Sequence, residues 1–169
     1  KLTFSCIFEM NDQAEVLNSR IVRTVTRSVR RFTYEEAQQV IETGAGDYAD
    51  EILTLDRLAK ILRRNRYDNG SVEFDRAEVR FDTDETGHPV SVYFKESKDA
   101  NKLIEEFMLL ANKTVATAIG KPAGHKKPKA FVYRVHDMPD PGKLADLSKI
   151  ARTFGFKVKE TGTSREVNR

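Results

Sequence analysis

A single cysteine, Cys6, stands in 169 residues, so no disulfide can close within the chain and a thiolate metal site would need ligands it lacks. Histidine is nearly as scarce: His88, His125 and His136 are scattered, with no second ligand at metal-binding spacing. No Ser or Cys carries a local nucleophile signature, and neither a GxGxxG pattern nor a P-loop is present. No run approaches the roughly 18 uninterrupted apolar residues of a membrane span. The start at Lys1 has neither a signal-like apolar core nor a cleavage site, so a soluble, cytoplasmic protein without membrane contact is expected. The DTDETG run at residues 82–87 opens like a calcium loop but puts Tyr93 where the bidentate Glu is required, which leaves a polar turn. No internal repeat is visible. The segment therefore holds no self-contained catalytic constellation and no metal site.

What is present is enough for one domain: 39% of residues are hydrophobic, and a chain of this length buries about two thirds of its unfolded surface. The net charge of +3 is unremarkable in total but uneven in distribution. Residues 16–34 contain no acid, while Arg20, Arg23, Arg27, Arg30 and Arg31 crowd that stretch. Arginines at strand spacing project from a sheet in rows, which suits a polyphosphate track. A second cluster (Arg57, Lys60, Arg63, Arg64, Arg66) ends a helix and is read as dipole complement and solvation. A third (Lys121, Lys126, Lys127, Lys129) falls in the run 120–129, whose Gly, Pro and Lys composition favours a mobile loop.

Alternation of Leu2, Phe4, Cys6, Phe8 and Met10 with Thr3, Ser5 and Glu9 predicts a half-buried strand, Asn11 and Asp12 a turn, and the Val- and Thr-rich run to about Arg31 a returning strand. Thr33 and Glu36 make a T-x-x-E capping box, opening a helix with Tyr34 in its first turn and Gly44 as its stop. A second helix is expected over residues 48–66 with Ile52, Leu55, Leu58, Ala59 and Leu62 as its core face. Short strands follow at 72–74, 77–81 and 90–94. The longest helix, residues 99–119, is expected to bury Leu103, Ile104, Phe107, Met108, Ala111 and Val115. A strand at 131–135 and a last helix opened by Asp140 and Pro141 and closed by Gly155 complete the pattern. Periodicity then fades, so residues 1–158 are read as one domain and 159–169 as a flexible tail. The fold class is α+β: a mixed, largely antiparallel sheet packed by helices.

Four stretches in order carry a family likeness: KLTFSCIFEM at the start, RRFTYEEAQQVIE after the arginine-bearing strand, ANKLIEEFMLLAN in the long helix, and FVYRVHDMPDPGKL. Together they resemble the catalytic (RNB) domain of ribonuclease R and ribonuclease II exoribonucleases over nearly the whole chain, the ribonuclease R branch being favoured. The resemblance implies a parent enzyme that shortens single-stranded RNA from its 3′ end by metal-activated water, releasing nucleoside 5′-monophosphates, with Mg²⁺ as cofactor and no obligate protein partner. It implies that Phe74 stacks on terminal bases, that Tyr34 packs near the scissile end, and that Glu105 contacts the ribose 2′-hydroxyl. From the residues alone, Phe74 reads first as a core strand residue and Glu105 first as a carboxylate paired inside the fold, and Tyr34 also reads as a helix-start staple. Asn101, Glu105, Met108 and Asn112 fall on one helical stripe bordering the apolar face, and Glu106 points elsewhere, toward solvent. Tyr34, Phe74, Glu105, Asn112, Arg27 and Arg30 are the candidate RNA contacts, expected to converge on one groove.

By the same likeness, the metal-binding aspartates lie upstream of Lys1 and the phosphate-stabilising arginine motif beyond Arg169, so this segment is expected to bind no metal and to be inactive by itself. A competing reading from a different class is a non-catalytic RNA-binding or regulatory domain of the same fold. A third is a structural interaction domain with incidental arginines, which predicts no salt-dependent affinity for RNA.

Overall fold

The computed structural model describes residues 1–71, 78–121, 127–134 and 140–158. The expected strand at 72–74 with Phe74, residues 122–126 of the expected lysine loop, and the expected tail at 159–169 lie outside the described residues. The chain divides into two compact units, Lys1–Leu62 with Phe74–Ala111 and Arg63–Glu73 with Asn112–Arg169.

In the first unit, β1 (Leu2–Met10) and β2 (Val16–Val25) form an antiparallel hairpin running from Leu2 opposite Val25 to Met10 opposite Val16, with a bulge at Glu9/Met10. Asn11 builds the turn: its Oδ1 accepts from the backbone N–H of Gln13 (3.0 Å) and Glu15 (2.9 Å), the competition with secondary structure that makes Asn a turn residue. Ala14 takes a left-handed φ of 59° there. The apolar face of β1 is covered only from Cys6 onward; Leu2 and Phe4 are 88% and 78% exposed. On the opposite face Thr3 and Ser5 are half-buried in a hydroxyl cluster around Thr24, at 2.8 and 2.6 Å. Alternation thus located the strand but not which face is covered.

β2 ends at Val25, six residues short of expectation. Only Arg20 and Arg23 of the five arginines lie on it, and their odd spacing sends them to opposite faces. The expected row of arginines does not form. Arg23 instead stands over the ring of Phe4, 5.7 Å from its centroid.

Helix α1 (Tyr34–Thr43) begins as its sequence dictates: Thr33 Oγ1 accepts from Glu36 N–H (3.2 Å) and the Glu36 carboxylate accepts from Thr33 N–H (2.8 Å). Gly44, at φ 69°, closes it by donating to the Val40 carbonyl. Helix α2 (Ala49–Asp68) is tied to the hairpin turn by Arg57, which donates to the carbonyl (2.9 Å) and carboxylate (2.8 Å) of Asp12. Helix α3 (Asp99–Gly120) receives at its N-terminus the Gln38 side chain, whose oxygen accepts from Ala100 N–H at 3.0 Å. Lys60 of α2 lies 2.7 Å from Asp56 and 3.1 Å from Asp99. Val40, Leu58, Ala59, Ala100 and Leu103 are the buried apolar residues these helices contribute.

The buried stripe of α3 is rotated by about one residue from the expected one. It runs through Ala100, Leu103 and Glu106, while Ile104 and Met108 are 51% and 54% exposed. Glu106, expected in solvent, is only 4% exposed. On a helix where apolar residues occupy more than half the circumference, periodicity alone does not fix the stripe's centre.

The second hairpin pairs β3 (Glu78–Thr83) with β4 (Pro89–Lys95), Val79 opposite Phe94 and Phe81 opposite Val92. Its turn is the polar loop expected: Asp84 Oδ1 accepts from Thr86 N–H (2.8 Å), the Thr86 hydroxyl (2.6 Å) and His88 N–H (3.0 Å). Led by the Thr86 hydroxyl, these donors hold the Asp84 carboxyl below the usual carboxylate range. The described strands form two separate two-stranded ladders, both antiparallel, rather than one sheet.

In the second unit, α4 (Pro141–Thr153) is opened by Asp140, whose Oδ1 accepts from Lys143 N–H at 3.1 Å, with Pro141 in the first turn; Gly155 follows its end at φ 84°. Of the strand expected at 131–135, residues 131–134 are described and have no ladder partner among the described residues.

Candidate nucleic-acid interface

The linker from β2 to α1 and the first turn of α1 meet the faces of α2 and α3 around an open groove of about 950 Å³. Its polar lining combines Arg30 and Arg31 with Tyr34 and the carboxylates Glu35 and Glu36; Ile52, Leu55 and Ile104 are among its apolar lining. Tyr34 is 43% exposed and also borders a second groove of about 330 Å³ shared with Gln38, Phe94 and Asn101. The capping box explains this placement, because it fixes where the helix starts and hence which side of its first turn Tyr34 occupies.

Arg30 is held in place from several directions. Its Nη2 lies 3.1 Å from Glu36 and its Nε 3.2 Å from Asp47, Nη1 donates to the Arg31 carbonyl at 2.9 Å, and the guanidinium stands 4.6 Å from the Phe32 ring centroid. Those three contacts use three of its five N–H donors. The hydrogen bond to Glu36 is the main cause that raises the Arg30 pKa, and the Thr33 N–H followed by Arg30 lowers that of Glu36. Arg27 is exposed and lies in the irregular linker.

Tyr34 and Arg30 are thus brought together. Glu105 and Asn112 are exposed along α3 and line neither groove, although Ile104 and Asn101 on the same helix do. Phe74 lies outside the described residues. Arg31 belongs to the arginine-rich stretch read as a phosphate track, whereas Ile52, Leu55 and Ile104 escaped sequence reasoning as site residues, because in sequence they carry only the mark of core-facing helix positions.

Burial raises the pKa of the Cys6 thiol, away from the reactive thiolate. Among the described residues no three His, Cys, Asp or Glu side chains gather as metal ligands, so the chain's described acids do not fit a metal centre. No helix among them is long and apolar enough to cross a membrane.

Residues 1–168 match the family model described as "RNB domain". Among curated proteins, the chain is 36% identical over 170 residues to the exosome complex exonuclease RRP44 of Mus musculus, covering 99% of this chain and 17% of that protein. It is 32% identical over 168 residues to ribonuclease R 2 of Lactococcus lactis, covering 94% of this chain and 24% of the relative. It thus spans about a fifth of these relatives' length. The backbone superimposes with a TM-score of 0.80 on Mycoplasma genitalium RNase R in complex with ribose methylated single-stranded RNA, and with 0.83 on the same protein in complex with double-stranded RNA. Identities are 20% and 21%; 99% of this chain and 27% and 30% of those chains are covered. The relatives include both RRP44 and ribonuclease R, so the ribonuclease R branch is not singled out.

Proposed function

We propose, starting from the fact that the chain belongs to the RNB domain family, that it is part of a processive 3′→5′ exoribonuclease hydrolysing RNA to nucleoside 5′-monophosphates, and that this segment supplies part of the RNA channel. The observation that supports the reading is the groove lined by a half-exposed tyrosine, by Arg30 and Arg31 beside Glu35 and Glu36, and by the apolar Ile52, Leu55 and Ile104. A tyrosine ring accepts any base by stacking, the arginines attract phosphates, and the apolar side keeps water from competing.

Within that groove Tyr34 holds a base and Arg31 a phosphate, while Arg30 has two N–H donors left for a phosphate oxygen. Arg27 extends the positive track. Glu105 contacts a ribose 2′-hydroxyl, Asn112 lies further along the same helix, and Phe74 stacks on a terminal base; these three assignments rest on the family likeness. The parent enzyme's cofactor is Mg²⁺, which supplies the activated water when bound. This chain's own residues bind and orient the strand. Single-stranded RNA in the cytoplasm is the proposed ligand and setting.

The test is binding and turnover of a labelled single-stranded RNA by the purified chain with Mg²⁺. Salt-sensitive binding that weakens roughly tenfold in Tyr34→Ala, with no nucleotide release, is expected. Robust Mg²⁺-dependent release would contradict the division of labour. In the full-length parent, Tyr34→Ala should alter the end product; an unchanged product with weakened binding would favour the non-catalytic RNA-binding alternative for this segment.

A further inference from the structure

Charge is divided unequally along the chain: residues 112–169 hold 13 Lys and Arg against five Asp and Glu, a net +8 in a chain whose total is +3, which leaves residues 1–111 at −5. Much of the excess flanks one aromatic segment of the second unit. Lys127, Lys129 and Arg134 are exposed and form no ion pair among the described residues. Between them Phe131 and Tyr133 pack edge to face, with centroids 5.4 Å apart and planes at 72°, and are 37% and 50% exposed. Perpendicular packing spends the face of one ring and the edge of the other, leaving ring surface open.

The segment is anchored. Lys129 N–H donates to the Ile119 carbonyl at 3.0 Å, in the last turn of α3. The Tyr133 hydroxyl sits against Gly120, where a Cβ would stand 1.5 Å from it. Only glycine admits this approach, so the helix end and the ring are fitted to each other.

We infer that residues 127–134 form a second contact surface for single-stranded nucleic acid, with Phe131 and Tyr133 as stacking faces and Lys127, Lys129 and Arg134 against the phosphates. An unpaired strand is the ligand whose chemistry matches both halves. Its bases expose flat faces that a duplex keeps stacked, and its backbone supplies the negative charge that a net +8 region attracts. None of the groove residues described above takes part, so the surface stands or falls separately from the groove.

The experiment uses the whole chain and a fluorescent oligouridylate, titrated by anisotropy at several salt concentrations, with a duplex of equal length and an acidic peptide in parallel. Lys127→Gln with Lys129→Gln should flatten the log-affinity against log-salt slope by roughly 0.7 per lysine. Phe131→Ala with Tyr133→Ala should weaken single-strand binding roughly tenfold or more and duplex binding far less. Unchanged affinity and slope in both pairs would overturn the inference, as would a preference for the peptide over the oligonucleotide. Because the ring variant could loosen the end of α3, photocrosslinking of an iodouracil-bearing oligonucleotide to the unmutated chain provides a second measurement. Crosslinks at Phe131 or Tyr133 are expected. Crosslinks confined to residues 30–37 would overturn this surface and leave the groove standing; crosslinks at neither place would count against both.

Discussion

The Nη2 of Arg30 lies 3.1 Å from Oε1 of Glu36, the same carboxylate that closes the capping box of α1 through the N–H of Thr33. One acid therefore serves a helix start and an arginine together, and couples the linker carrying the positive charge to the helix carrying Tyr34.

Loss of the cap is expected to cost about 1 kcal/mol in Thr33→Ala, read from the denaturant midpoint. The pH dependence follows from Glu36, whose pKa is lowered by the Thr33 N–H first and Arg30 second. A depressed carboxyl pKa stabilises the fold above the unfolded-state value of about 4.3, and that contribution disappears as pH falls through the lower folded value. Wild type should accordingly exceed Glu36→Gln in midpoint at neutral pH and converge with it in acid. A constant gap down to pH 2 would show that titration of Glu36 is not the source.

Because two carboxylates already neutralise Arg30, its removal should change RNA affinity less than removal of Arg27. Arg27→Gln is expected to flatten the salt dependence by about 0.7, and Arg30→Gln by clearly less. Equal slopes for the two variants would mean that Arg30 reaches phosphate as freely as Arg27.

Lys60 bridges Asp56, whose side chain is 10% exposed, and Asp99, at 36%. Removing the lysine strands the buried acid, so Lys60→Ala is expected to cost about 2 kcal/mol, whereas Asp99→Ala should cost below about 1 kcal/mol. Chemical denaturation of both variants reads the difference. The Asp56 contact raises the Lys60 pKa, so the bridge holds fully below lysine's ordinary 10.5 and weakens as pH climbs through the raised value.

Glu105 and Glu106 are neighbours with opposite surroundings, the first exposed and the second 4% exposed. Glu105→Ala should leave stability within about 0.5 kcal/mol while eroding the parent enzyme's preference for RNA over DNA. Glu106→Ala should cost about 3 kcal/mol by breaking a buried polar arrangement. If instead Glu106→Ala alone altered the sugar preference, the two roles would have to be exchanged.

The starts, stops and turns were legible in the chain wherever one residue type decides a local hydrogen bond. Thr33, Glu36 and Gly44 bound α1, Asp140 and Pro141 open α4, and Asn11 and Asp84 shape the two hairpin turns. Each works within about four residues. The end of β2 was not legible, because strand length depends on its ladder partner, and the ladder with β1 runs only as far as Val25, opposite Leu2. The candidate groove was half legible: Tyr34 and Arg30 stood out by type and position, whereas Ile52, Leu55 and Ile104 are ordinary apolar residues until α2 and α3 place them beside the linker.

By itself the sequence determined the helices, the hairpins, the unequal distribution of charge and the family to which the chain belongs, since these rest on local backbone chemistry, composition and similarity of residue order. Tertiary structure alone decided that Glu106 rather than Glu105 is buried, that Arg30 is held by Glu36 and Asp47, and that Leu2 and Phe4 face outward. The reason is geometric: burial and pairing depend on which elements meet across long stretches of chain, and a shift of one residue on a helix turns a side chain by about 100° without altering any local propensity.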